Sequence, residues 1–267
     1  HNYLVALGRA ESQIAIAWAD MSTGDFLVQE IADEGLETIV ARLDPAELIY
    51  PHDYDLPDWI TNSQICHTEQ AASLFDSTRA RQALERFYQL VSLDGLGNFS
   101  RPMLSAAGAL LGYIEATQVG NMPRLLPMIA VNHANYMEID PATRRSLELS
   151  RTLTGERRGS LLHAVDYTLT AAGGRLLGER LAAPLFDADG IDARLDLVSW
   201  FIAGAGCREE VRAQLRVHPD SERALSRLSL GHGGPRDLAA ISSGLKGASQ
   251  IAGLINDVVN KMVSSLA

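Results

Sequence analysis

Apolar and polar positions alternate in one rhythm over the first half of this 267-residue chain and in another over the second. Residues 3–9 (Tyr-Leu-Val-Ala-Leu-Gly-Arg) and 14–20 (Ile-Ala-Ile-Ala-Trp-Ala-Asp) are short apolar runs with Val, Ile and Trp, the content of strands. The turn Ser22-Thr23-Gly24-Asp25 leads into a third run, Phe26 to Ile31, which predicts an antiparallel meander. Leu36, Ile39, Val40 and Leu43 then fall at helical spacing, and Pro45 to Pro51 encloses a buried strand. Three strands, a helix and a further strand predict an α/β layer. Residues 51–69, rich in Pro, Asp and His, read as loop with one short strand near Ile65. A helix follows from Thr78 to Leu90, with Ala80, Ala83, Leu84 and Phe87 on one side and Arg79, Gln82, Arg86 and Gln89 facing outward. Ser100 and Pro102 are placed to cap another, running to about Thr117. Residues 121–135 hold two prolines and no period, which places a domain boundary near His133: residues 1–133, then 134–267.

Beyond that point the spacing is helical throughout. Asp140 is placed as an N-cap with Pro141 at the first helical position, and the helix is expected to reach about Leu153, with Gly155 as its left-handed stop. A second helix is expected from Asp166, with Leu176, Leu177 and Leu181 on one face and Pro184 ending it. Ile191, Leu195, Val198 and Phe201, then Val211 and Leu215, then Leu225 and Leu228, read as core stripes. From Pro235 onward Leu238, Ile241, Leu245, Ala248, Ala252 and Ile255 keep helical spacing, and Val258, Val259, Met262, Val263 and Leu266 carry apolar content to the end. A helix from Pro235 to Ala267 would be roughly 50 Å long at 1.5 Å per residue, and its apolar stripe is expected to fold back on the helical domain or pair with a second copy.

Composition narrows the function classes. Residues 1–133 hold 7 Lys+Arg against 17 Asp+Glu, a net charge of −10, whereas residues 134–267 hold 16 against 16. Neither half is a basic surface for neutralising phosphates, so DNA contact is expected elsewhere, and an acidic face suits a protein partner. No apolar run approaches 18 residues and no cleavable leader pattern is present, which predicts a cytoplasmic protein outside the membrane. Cys66 and Cys207 read as free thiols. His52, His67, His133, His163, His218 and His232 lack the close spacing of metal ligands, so no metal site is expected. Gly231-His232-Gly233-Gly234 lacks a following Lys and Ser/Thr and a preceding strand, and reads as a turn between helices rather than a phosphate loop.

Two ordered motifs carry a resemblance. Asp140, Thr143, Arg144, Arg145, Leu147 and Glu148 form one; Asp166, Thr168, Thr170, Gly173, Arg175, Leu176, Leu177, Leu181, Pro184 and Leu185 form the other. Together they resemble the core domain of the MutS mismatch-repair family, with Arg180 where a Trp is expected. Ser221 to Leu228 and the Pro235-Arg236-Asp237-Leu238 run extend it, and the segments around Asp25 and Asp44–Tyr50 resemble the family's connector domain. The resemblance implies a ribonuclease H-like connector followed by the first part of a helical core and lever domain. It implies structural roles for the motif residues and a landing site for a MutL-type protein, for which Arg79, Gln82 and Arg86 are the candidate contacts. The family reads mismatches with a Phe-x-Glu wedge and hydrolyses ATP with Mg in a P-loop domain; neither motif occurs here. The chain is therefore expected to be an excised, noncatalytic middle piece without cofactor, taken from a homodimeric parent that meets mismatched duplex DNA through other domains. Two other readings stand beside it. A degenerate ribonuclease H-like nuclease would need an acid on the first strand, where Tyr3 to Arg9 has none, leaving Asp20 and Asp25 as turn acids. A plain helical interaction module would leave the motifs unexplained.

Overall fold

The computed structural model describes residues 2–32, 35–118, 122–131 and 136–265, without the side chains of 257–265. The chain divides into two compact units, His1–His133 and Ala134–Ala267; His133 itself, where the spacing places a boundary, lies outside the described residues. In the first unit β1 (Tyr3–Ala10), β2 (Gln13–Asp20) and β3 (Phe26–Ile31) form the antiparallel meander, with Val5 opposite Trp18 and Trp18 opposite Leu27. Helix α1 (Leu36–Leu43) crosses over to β4 (Glu47–Pro51), which lies parallel to β1. The stretch after Pro51 contains the one-turn helix α2 (Asp58–Thr61), which was not expected, and the short strand expected near Ile65, β5 (Cys66–Gln70), parallel to β4. Helices α3 (Ser77–Tyr88) and α4 (Arg101–Thr117) follow, and β6 (Ile129–Ala130) completes the sheet beside β3 in the order β5-β4-β1-β2-β3-β6. β6 sits in the stretch read as aperiodic, because two residues are too few to show a period.

Both faces of this sheet are covered, so alternation along its strands is between large and small side chains rather than apolar and polar. On one face Val5, Leu7, Ile14, Ile16, Trp18 and Leu48 pack against Leu36, Ile39, Val40 and Leu43 of α1. On the other, Ala6, Ala15, Ala17 and Ala19 lie under α4, whose own contact residues include Ala106, Ala107 and Ala109. The small residues let α4 approach closely: a Cβ on Gly8 would stand 2.4 Å from the Ala106 backbone nitrogen, and one on Gly108 would stand 2.2 Å from the Ala80 Cβ of α3. Ser100 is the N-cap residue of α4 by position, but its buried hydroxyl has no hydrogen-bond partner, so Pro102 in the first turn supports the start instead.

The second unit is helical: α5 (Pro141–Ser146), α6 (Leu161–Val165), α7 (Ala171–Ala182), α8 (Ala188–Ala203), α9 (Ala205–Arg216), α10 (Ser221–Ser229) and α11 (Pro235–Ser265). Three expectations need correction. The helix from Pro141 stops at Ser146, not near Leu153, because Glu148 takes φ +47° and residues 148–149 turn to accept the amides of Leu161 and Leu162, burying Leu149 and Leu162. The helix expected from Asp166 starts at Ala171, capped by Thr170, while Asp166 closes the separate α6. The stripes of α8, α10 and α11 are not core: Leu195 is 55% exposed, Leu238 62% and Leu245 70%, and in α10 the exposed Leu225 gives way to buried Ala224 and Ser226. Helix α11 packs on α9 and α10 with Gly244 buried, while Leu238 and Leu245 are exposed and Leu254 is half-buried. The apolar residues from Val258 to Leu266 lie outside the described side chains.

The sheet's tolerance is testable. Gly8→Val should lower the unfolding free energy by about 1–3 kcal/mol in urea titration, since the added methyls meet backbone rather than a movable side chain. Gly95→Ala, with open space around it, should stay within about 0.5 kcal/mol.

Candidate functional site: arginine anchors and an exposed helix face

The motif residues gather at the ends of helices and in the links between them. Asp140 caps α5 by accepting the Thr143 amide at 2.9 Å, and its contacts with Thr143 hold its carboxyl below the usual carboxylate range. Arg144 reaches from α5 to the Ala182 carbonyl at the end of α7, 2.9 Å away, and the Pro184 carbonyl accepts the Met137 amide at 2.8 Å. These two bonds fasten the start of the unit to the end of α7. Arg145 is exposed. Glu148 accepts the Leu153 amide at 2.7 Å and so stabilises the turn that replaces the expected helix.

Asp166 takes the Thr168 hydroxyl at 2.6 Å and amide at 3.1 Å, and pairs with Arg157 at 2.7 Å. The Thr168 contacts, chiefly, hold its carboxyl low. Thr170 accepts the Gly173 amide at 3.0 Å and opens α7. From the next turn Arg175 extends both terminal nitrogens onto Asp220, at 2.8 and 3.0 Å, and one also onto Glu222 at 2.6 Å. Its side chain is only 10% exposed and that of Asp220 21%, so the pair is largely withdrawn from water. The bidentate Arg175 guanidinium holds the Asp220 carboxyl below its ordinary value against the opposing effect of burial.

A second tie closes the unit. Arg227 of α10 donates to Asp237 in the first turn of α11, and the other oxygen of Asp237 accepts the Gly234 amide at 3.0 Å. Pro235 occupies the first helical position and Arg236 is exposed. The partners Asp220 and Arg227 were not singled out in advance. Asp220 shows only as an acid preceding Ser221-Glu222, and Arg227 lies inside the quoted run with nothing local to pair it with Asp237.

Gly231 does take φ +71° and Gly231–Gly234 forms the turn from α10 to α11. The Gly234 amide there is filled by Asp237, an anion supplied by the chain itself. The arrangement therefore does not fit a nucleotide phosphate.

In the first unit Arg79, Gln82 and Arg86 lie on the outer face of α3, all exposed, with Asp76 capping the helix through the Thr78 and Arg79 amides. Asp20 is buried at the end of β2, where one carboxylate oxygen accepts the Ser22 amide at 2.8 Å and hydroxyl at 2.6 Å. Asp25 accepts the Thr23 hydroxyl at 2.6 Å. Both acids shape the turn. Among the described residues no three His, Cys, Asp or Glu side chains come together as a metal site would require, Cys66 and Cys207 are free thiols, and no helix is long and apolar enough to cross a membrane.

Arg175→Met keeps the length and apolar stem but removes the bidentate partner of the half-buried Asp220 carboxylate, leaving it the weaker contacts of Arg223, whose amide is 3.4 Å and guanidinium 3.7 Å away. The helical unit should lose about 2–3 kcal/mol in chemical denaturation, whereas Arg145→Met should change it by less than about 0.5 kcal/mol.

Comparison with known proteins accounts for both units. The family MutS domain II matches residues 2–125 and MutS domain III matches residues 142–265. The DNA mismatch repair protein MutS of Rhodopseudomonas palustris is 45% identical over 258 residues, 94% of this chain and 28% of the relative. That of Cereibacter sphaeroides is 46% identical over 253 residues, 95% of this chain and 29% of the relative. The chain thus spans less than a third of the length of these curated relatives. With a mixed sheet under helices matching domain II and a tied set of helices matching domain III, the chain belongs to the MutS family of DNA mismatch repair proteins.

Proposed function

We propose that this chain is the noncatalytic middle of a MutS-type protein, which relays conformational signals between the mismatch-binding and ATPase parts of its parent and offers a docking surface to MutL. The observation that carries the relay is the way the helices are fastened. Arg144, Arg175 and Arg227 join α5 to α7, α7 to the α9–α10 link, and α10 to α11, so displacement of one helix is passed on through short charged contacts. A loosely packed apolar bundle would absorb the same displacement by side-chain adjustment. The first unit is read as ribonuclease H-like, a reading supported by three antiparallel strands with β4 and β5 added parallel to β1. Its turn acids and acid-free first strand disfavour a nuclease. ATP, Mg and mismatched DNA belong, in this proposal, to parts of a cytoplasmic, homodimeric parent outside this chain.

The relay is tested in the full-length parent. Arg175→Met should leave mismatch affinity and basal ATP hydrolysis within about twofold while abolishing the mismatch-dependent change in nucleotide turnover. Retention of that change in a folded variant would overturn the relay. The docking surface is tested separately by reversing charge on α3 with Arg79→Glu, Gln82→Glu and Arg86→Glu together. MutL affinity should fall at least about tenfold, worth about 1.4 kcal/mol, and an unchanged affinity would remove this helix as the contact.

A further inference from the structure

The link between α9 and α10 touches two helices at once. Asp220 and Glu222 are gripped from one side by Arg175 of α7. From the other side the same short segment presses on α11. A Cβ on Gly244 would stand 2.0 Å from the Ser221 Oγ and 3.7 Å from Pro219 Cγ, and one on Gly247 would stand 2.9 Å from the His218 Nδ1. Gly244 and Gly247 therefore form a notch that receives the link and admits no larger residue without displacement.

Two features make this contact a determinant of where α11 sits. The exposed Leu238 and Leu245 contribute little apolar burial that could fix the helix. The Ser221 Oγ and His218 Nδ1, pressed into the notch, are both buried without a hydrogen-bond partner. Such orphaned polar atoms cost stability, and a change in the position of α11 that gave them partners would recover it. The seat is thus held by steric fit and by the grip on Asp220, not by the satisfaction of its own polar groups.

We infer that the His218–Glu222 segment, the end of the link and the start of α10, is a coupling joint, in which Arg175 acts through Asp220 as a positioning residue for α11. Release of Asp220 frees the link, the notch loses its register, and the long helix tilts. Between Gly244 and Ser265 lie about 30 Å of helix at 1.5 Å per residue, so a tilt of about 10° moves the far end by about 5 Å. The inference deepens the relay reading and rests on it for its biological sense, but the joint is measured without mismatch or nucleotide.

The experiment places spin labels at Arg180→Cys on α7 and Asn256→Cys on α11, both exposed, in a Cys66→Ser background, and reads the inter-label distance by electron spin resonance. The reference chain should give one narrow distance. Arg175→Met, the milder Asp220→Asn, and Gly247→Ala, which pushes on His218 with the Arg175 grip intact, should each shift or broaden it by about 2–5 Å. Arg157→Met, which breaks only the pair with Asp166, should not. An unaltered narrow distance in Asp220→Asn or Gly247→Ala at native helicity overturns the joint, as does an equal change in Arg157→Met. A joint that holds in a parent failing to link mismatch binding to nucleotide turnover overturns the relay alone.

Discussion

The helical unit depends on carboxylates that its own arginines keep ionised. Asp220 and Asp237 take the guanidinium groups of Arg175 and Arg227, and these contacts join helices that bury few large apolar side chains against one another. An ion pair withdrawn from water is a weak source of net stability, because desolvation offsets most of the attraction. Its geometry is nonetheless exacting. The bidentate Arg175 guanidinium accepts one orientation of Asp220, so this pair fixes helix positions more narrowly than apolar contact of the same area would. The price of that arrangement is sensitivity: removing one partner leaves the other half-buried and charged.

The first unit is held together differently. Its sheet is covered on both faces, and its strands divide large residues from small ones, with Ile14, Ile16 and Trp18 toward α1 and Ala15, Ala17 and Ala19 toward α4. Backbone approaches backbone across the alanine face, and the outer side of α3, with Arg79, Gln82 and Arg86, is exposed. In the proposed function the acidic α/β unit presents a surface, and the helical unit, set by ionic contacts, transmits displacement.

What could be read from the chain follows from the range of the interactions involved. The strands of the meander and helices α1, α3 and α4 were legible because their periods and turn residues are local, as at Gly24 and Pro102. The short helix α2 and the two-residue β6 were not, since neither shows a period. The helix expected to continue through Glu148 gave way to hydrogen bonds from Leu161 and Leu162, a tertiary pairing that outweighs helical propensity. In the site, Arg175 and Asp237 stood out through a family motif, but their partners lie 45 and 10 residues away. The apolar stripes of α8 and α11 were legible as stripes; whether they are covered is a question of what lies beside them, which spacing does not encode.

Acid titration tests the central account most directly. The folded pKa of Asp220 is depressed, so its contribution is complete above the ordinary aspartate value near about 3.9 and is lost as pH falls through the lower value it has in the fold. Asp140, Asp166 and Asp237 are shifted the same way; in the first unit Asp76 and Asp94 are also held low, but they lie at the exposed surface, and acidification relieves the charge repulsion of that unit, whose net charge is −10. Amide chemical shifts followed from neutral pH downward should therefore show resonances of α7, α10 and α11 losing dispersion below about pH 4 while those of β1, β2 and α4 persist. Loss of the sheet resonances first, or of both sets together, would contradict the account.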